Sequence, residues 1–132
     1  MKQFLPIRKE DAIKKIAEYF NTCCLENIGI VFENQKDATA FLDEVKKLLN
    51  KEDCEVWNKR EVYNKKHKVW LLTDSSRPVE KTLEGYACAK LFVEKKCFEK
   101  YFKNISEIGC VLVQCALKSE DVENYLIEDE NN

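Results

Sequence analysis

The chain has 132 residues, of which 45% are apolar and 35% charged, and its formal net charge is −2. These values exclude a disordered chain, and they give no global attraction to nucleic acid or to an anionic membrane. No stretch approaches the roughly 18 consecutive apolar residues of a membrane span. We therefore expect one domain over residues 1–127, followed by a disordered acidic tail over residues 128–132.

Seven cysteines are present, an odd number without any Cys-x-x-Cys pair. Structural zinc sites use such pairs, so no metal site is predicted. No apolar signal segment follows Met1, and we expect a reducing, cytoplasmic compartment in which all seven thiols are free and most are buried. Abundant Lys and Asn indicate an AT-rich source, such as a low-GC bacterium or its phage.

The first half of the chain predicts a strand that leads directly into an amphipathic helix. Phe4-Leu5-Pro6-Ile7 is a short apolar entry that Pro6 would place at the edge of a sheet or outside it, and Lys9–Phe20 has helical spacing. Ile28–Phe32 then predicts a buried strand, and a helix follows up to Leu49 with Asn34 as its N-cap. This arrangement is typical of the first half of a βαβ unit.

The middle of the chain predicts an antiparallel pair of strands. Cys54–Asn64 is rich in strand formers and is interpreted as one exposed edge strand, with Val56 and Val62 on one face and Trp57 and Tyr63 on the other. A polar turn at residues 64–67 separates it from a more apolar strand, residues 68–73. Residues 74–78 are predicted to form a loop.

The second half predicts strands over residues 85–93 and 108–117, a helix over residues 94–105, and a short last helix capped by Ser119 with Val122, Tyr125 and Leu126 as its contacts. The predicted order is α-β-α-β-β-β-α-β-α. We therefore expect a single α/β domain with a mixed central sheet and helices packed on it. The predicted core comprises Ile30, Phe41, Leu42, Val45, Leu71, Leu91, Phe92, Val111, Leu112 and Val113.

Catalytic patterns are sparse. The only histidine, His67, lies in a Lys-rich turn and is interpreted as a solvated residue, and no glycine-rich phosphate loop is present. Asp74 and Glu94 follow apolar strands, where α/β enzymes often place acids, and they support a competing hypothesis of a metal-dependent nuclease or phosphodiesterase. The preferred prediction is a protein without catalytic residues, cofactor or metal.

A basic and aromatic stretch between Trp57 and Trp70 predicts a binding surface instead. Aromatic rings and cations together can contact a protein or single-stranded nucleic acid. The predicted partner-binding residues are Trp57, Arg60, Tyr63, Lys65 and Lys66. We expect a small interaction protein of phage or mobile-element origin that binds a protein partner, with nucleic acid as the alternative and no membrane. The competing interpretation is that Trp57 and Trp70 pack inward and the lysines only solvate a turn.

The order of the elements also resembles the P-loop ATPases of the phage large-terminase and helicase kind. Arg77-Pro78 and Gly85-Tyr86 precede the strand that ends before Glu94, where that family places its Walker B acids. The pattern covers roughly residues 4–117, but GxxxxGK[ST] and an acidic pair are both missing. The resemblance implies a degenerate relative that binds no nucleotide, and it transfers no site residue.

Overall fold

The computed structural model describes residues 4–22, 27–73, 90–101 and 123–128. Within these ranges the chain forms seven strands and three α-helices. In chain order they are β1 (Leu5–Ile7), α1 (Lys9–Thr22), β2 (Asn27–Val31), α2 (Gln35–Lys46), β3 (Cys54–Trp57), β4 (Glu61–Asn64), β5 (Val69–Thr73), β6 (Lys90–Glu94), α3 (Lys95–Tyr101) and β7 (Glu123–Ile127). The predicted α/β class with a mixed sheet is confirmed.

The strands form one sheet in the order β1-β7-β6-β2-β5-β4-β3. The five strands from β1 to β5 in this order are parallel, whereas β4 and β3 add an antiparallel hairpin at the far edge. β2 therefore lies at the centre, between β6 and β5. The four consecutive strands β6, β2, β5 and β4 surround this centre.

The helices divide between the two faces of the sheet. The connections from β1 to β2 and from β2 to β5 lead toward the β3 edge of the sheet, whereas the connection from β6 to β7 leads toward the β1 edge. Because such connections are right-handed, α1 and α2 lie on one face and α3 on the opposite face. In agreement, α1 contacts α2, whereas α3 contacts β6 and β7.

A continuous apolar core joins α1 and α2 to the sheet. α2 begins where predicted, because the side-chain oxygen of Asn34 accepts a hydrogen bond from the Asp37 N–H. The predicted core residues that the structure describes are all at most 1% exposed: Ile30, Phe41, Leu42, Val45, Leu71, Leu91 and Phe92. Residues 111–113, and with them the predicted strand 108–117, lie outside the described residues.

The predicted edge strand Cys54–Asn64 is wrong, because it is a hairpin of two strands. The side-chain oxygen of Asn58 accepts hydrogen bonds from the N–H groups of Arg60 and Glu61, which reverses the chain after β3. Trp57 consequently pairs with Val62 across the hairpin and shares its face, contrary to the predicted alternation.

The predicted last helix is also wrong where the structure describes it, because residues 123–127 form β7. This strand pairs in parallel with β6 on one side and with β1 on the other. Both rows of its backbone groups are thereby satisfied in the sheet, which outweighs the acidic residues that suggested a helix start. Glu128 continues this pairing through its N–H, which donates to the Ile7 carbonyl. Residues 129–132 lie outside the described residues.

The remaining predicted elements are partly covered. β6 starts at Lys90 within the predicted strand 85–93, and α3 occupies residues 95–101 of the predicted helix 94–105. Residues 85–89, residues 102–105 and the predicted loop at 74–78 lie outside the described residues. Pro6 lies in the edge strand β1, the first of the two places that the sequence left open for it, although the predicted order of elements contains no strand there.

Candidate functional site at the carboxyl ends of the parallel strands

The centre of the sheet contains a topological switch point. β2 and β6 are adjacent and parallel, yet the helices that follow them leave toward opposite faces of the sheet. In open α/β sheets the divergence of two such connections opens a crevice outside the carboxyl ends of the strands, and ligands bind there. The residues that follow Val31 in β2 and Val93 in β6 are therefore the first candidates for a site.

Two glutamates meet at this point. Glu94 is the last residue of β6, and Glu33 lies two residues beyond the end of β2. The Glu33 N–H donates to Glu94 Oε1 over 3.4 Å, and the Lys100 Nζ of α3 pairs with Glu33 Oε1 at 2.5 Å. The Glu33 backbone thus contacts the Glu94 carboxylate, and the Glu33 carboxylate pairs with an ammonium group of α3.

A buried hydroxyl lies at the same edge. Thr73 ends β5, next to β2, and its residue is only 1% exposed. Its Oγ1 makes no hydrogen bond to any residue that the structure describes. Sheet register pairs Thr73 with Ile30, which pairs in turn with Phe92, and Glu94 follows two residues later on the same face. A buried hydroxyl without a partner among the described residues is uncommon in folded proteins.

The β3–β4 turn brings an arginine to this edge as well. The Thr73 N–H donates to the Arg60 carbonyl over 2.8 Å, so the turn of residues 58–60 lies beside the end of β5. All three turn residues are exposed. Across four adjacent strands the carboxyl edge therefore presents Glu94, Glu33, Thr73 and Arg60 in that order.

The five predicted partner-binding residues do not form one surface. Trp57 is half-buried and packs against the hydrophobic core, with Lys46 Nζ lying 5.3 Å from its ring centroid. Desolvation by burial lowers the pKa of the Lys46 ammonium group, and the charge of Asp43 opposes this effect. The indole of Trp57 therefore packs between the hairpin and the hydrophobic core.

The other aromatic residue of the set faces away from Trp57. Tyr63 follows Val62, so alternation along β4 places it on the opposite face, where it lies 4.5 Å from the Trp70 ring. Lys65 and Lys66 are exposed, but they belong to the β4–β5 turn at the amino end of β5, opposite to Arg60. Partner binding through these residues stays a prediction.

Asn64 organises that second turn. Its side-chain oxygen accepts hydrogen bonds from the N–H groups of Lys66 and His67, and its Nδ2 donates to the Phe20 carbonyl near the end of α1. His67 is half-buried in this turn. It lies at the opposite end of β5 from Thr73.

The two thiols of the described ranges differ in their surroundings. Cys97 of α3 is fully buried, whereas Cys54 is half-buried at the start of β3, with its Sγ 3.5 Å from the Asn50 carbonyl. Burial, and then the charge of Asp53, raises the pKa of the Cys54 thiol. Neither thiol lies in a group of three or more potential metal ligands within the described ranges.

Sequence reasoning identified Glu94 but missed Glu33 and Thr73. The signal for Glu33 is its position between the central apolar strand and the Asn34 cap, which is also typical of a simple connection. Asp74, the predicted partner of Glu94, directly follows Thr73 in the chain and lies outside the described residues.

Comparison with known proteins assigns no family: no family model and no curated protein matches the chain. Among the described residues, no helix has the length and apolar character needed to cross a membrane.

Proposed function

We propose that the protein binds a divalent cation together with a phosphodiester group at the carboxyl ends of β2, β5 and β6. The observation that carries the proposal is the hydrogen bond from the Glu33 N–H to the Glu94 carboxylate at the switch point, next to the ion pair of Glu33 with Lys100. Magnesium is commonly held by one or two protein carboxylates and completes its coordination with water and substrate phosphate. The buried Thr73 hydroxyl at the same edge, which has no hydrogen-bond partner in the part of the chain that the structure describes, supports a ligand at this place.

The charges of the site favour this combination of ligands. Glu33, Glu94 and Lys100 together carry a net charge of −1, which a divalent cation would change to +1. A phosphodiester carries one negative charge and would neutralise the loaded site. Lys100 is positioned to leave Glu33 and pair with a phosphate oxygen when the carboxylate turns toward the cation.

The test uses Mn²⁺ as a spectroscopic substitute for Mg²⁺. Binding of Mn²⁺ is measured by electron paramagnetic resonance, alone and with a thymidine dinucleotide that contains one phosphodiester. We expect saturable binding that the dinucleotide strengthens. We also expect Glu33→Gln and Glu94→Gln each to weaken Mn²⁺ binding by about tenfold or more, because each removes one of two charged ligands.

Glu44→Gln is the matched control. Glu44 is an exposed glutamate of α2 that pairs with Lys47 at 2.9 Å, so its change removes the same charge away from the site. This variant should bind Mn²⁺ as the wild type does. Equal binding by the wild type and both site variants, or the absence of saturable binding, would contradict the proposal.

The competing sequence-based hypothesis adds phosphodiester cleavage to binding. Cleavage requires a water oxygen to attack phosphorus while the P–O ester bond breaks and the leaving oxygen takes up a proton. We assign no described side chain to the role of general base, so the proposal is one of binding. Incubation of a labelled oligonucleotide with Mg²⁺ and the wild type, Glu94→Gln and Asp74→Asn proteins tests for cleavage directly.

A second candidate function is the predicted binding of a macromolecule by the basic-aromatic hairpin. The predicted phage or mobile-element origin does not help to choose between the two functions. The exposure of Arg60, Lys65 and Lys66 favours it. Because Trp57 packs against the core, a pull-down should compare the wild type with a variant that changes only these three cations. Recovery of the same partners by both proteins would exclude the hairpin as their binding surface. The resemblance to P-loop ATPases stays a prediction and contributes no residue to either function.

A further inference from the structure

The β3–β4 turn is a hydrogen-bonded, positively charged feature of the carboxyl edge. It comprises Asn58, Lys59 and Arg60, all exposed. The side-chain oxygen of Asn58 accepts hydrogen bonds of 2.9 Å and 2.8 Å from the N–H groups of Arg60 and Glu61. Lys46 Nζ binds the Asn58 carbonyl from α2, and Thr73 binds the Arg60 carbonyl from β5. The two cations of the turn therefore extend from a backbone that is held in place on three sides.

The position of this turn relative to the acid pair limits what could bridge them. Arg60 lies beside Thr73, and Thr73 pairs with Ile30 of β2, so the turn is two strand spacings from β2. Two spacings correspond to roughly 10 Å. A single phosphate group cannot span that distance, whereas a polymer with regularly repeated phosphates can contact both places.

The β4–β5 turn, at the other end of β4, provides a contrast. Lys65 and Lys66 are equally exposed and equally charged, but they lie at the amino end of β5. Four residues of β4 separate the two turns, which is about 13 Å of extended chain. Only the turn at the carboxyl edge shares an edge with Glu33 and Glu94.

We propose that Lys59 and Arg60 bind the phosphate backbone of a nucleic-acid strand whose neighbouring phosphodiester occupies the cation site. This inference rests on the proposed function and names its ligand class. The guanidinium of Arg60 suits bidentate contact with a phosphate, and Lys59 adds a second cation. A single strand is favoured over a duplex because it can bend along the edge of the sheet without the stiffness of double-stranded DNA.

The experiment measures the affinity of a fluorescently labelled single-stranded oligonucleotide by anisotropy, with Mg²⁺ present, between 50 and 200 mM salt. Lys59→Ala/Arg60→Ala is compared with the matched double variant Lys65→Ala/Lys66→Ala. We expect the first to weaken binding by about tenfold at 50 mM salt and to reduce the slope of log affinity against log salt by about 1.4, since each phosphate contact with a single strand contributes about 0.7. The second should match the wild type.

Binding of Mn²⁺ in the absence of oligonucleotide separates the two proposals. If Lys59→Ala/Arg60→Ala binds both Mn²⁺ and the oligonucleotide as the wild type does, this inference is overturned and the cation site stands. Equal losses of oligonucleotide affinity in the two double variants would also overturn it, because they would indicate attraction by charge alone. If the wild type binds no Mn²⁺, the proposed function itself is contradicted.

Discussion

Replacement of Asn64 by alanine should destabilise the fold more than any other single change in the two hairpin turns. Asn64 is 2% exposed, and its amide makes three hydrogen bonds, of 3.0 Å to the Lys66 N–H, 3.2 Å to the His67 N–H and 3.3 Å to the Phe20 carbonyl. The last bond is the only one of the three that joins the hairpin to α1. The substitution therefore loosens the turn and separates it from a helix.

The expected magnitude follows from these contacts. A hydrogen bond contributes about 0.5–1.5 kcal/mol net, and the two turn amides recover part of their loss from water. We therefore expect Asn64→Ala to lower the free energy of unfolding by about 2–3 kcal/mol. Asn58→Ala removes two comparable bonds in an exposed turn and should lower it by about 1 kcal/mol.

Urea unfolding followed by circular dichroism measures both values. With a slope of about 1–3 kcal/mol per molar urea, the midpoint of Asn64→Ala should fall by about 1 M. Asn64→Asp keeps the acceptor for Lys66 and His67 but lacks the donor for Phe20, so its midpoint should lie between those of the wild type and the alanine variant. The reasoning is refuted if Asn64→Ala is no less stable than Asn58→Ala.

Further predictions concern a strained residue, two thiols and a stacked pair of rings. Lys68 has a φ of 57°, so Lys68→Gly should raise the free energy of unfolding by about 1 kcal/mol in the same urea assay. Because the pKa of the Cys54 thiol is raised in the folded state, the folded state keeps a proton that the unfolded state loses as the pH rises. The contribution of this thiol to stability is therefore present below about pH 9 and declines at higher pH. Urea unfolding of the wild type and Cys54→Ser at pH 7 and pH 10 measures this decline. Cys97 should resist alkylation until urea unfolds the protein, because it is fully buried. Phe92 stacks on Tyr125 at 4.9 Å, and Phe92→Ala should lower the free energy of unfolding by about 3–5 kcal/mol, measured by urea unfolding with Lys36→Ala as an exposed control.

The sequence was sufficient to predict elements that local periodicity defines. The Asn34 cap, the apolar face of α2 and the buried strand before it are local patterns, and the structure confirms each. The prediction of the hairpin and of the last strand needed more than local periodicity. The reversal at Asn58 rests on one side chain within a stretch of strand formers, and β7 exists because β1 and β6 offer two unpaired edges.

The candidate site was harder to predict for a topological reason. Glu33 and Glu94 are separated by 60 residues of chain, and nothing in their local sequences shows that β2 and β6 are neighbours. The residues of the basic-aromatic stretch are divided between faces and edges of the sheet for the converse reason. Its residues are close in sequence, but alternation along short strands sends Trp57 and Tyr63 to opposite faces, and two turns send Arg60 and Lys65 to opposite edges.

The pairing of β1 with β7 has a consequence for synthesis on the ribosome. β1 lies at the edge of the sheet, where its register pairs Leu5 with Tyr125, and no other described strand is its neighbour. At a translation rate of about 5–20 residues per second, the segment that completes this edge is made at least about 6 seconds after β1. During that interval the three residues of β1 lack the one described strand with which they pair, so Pro6, which has no N–H group, helps to keep a nascent chain from pairing with its neighbours.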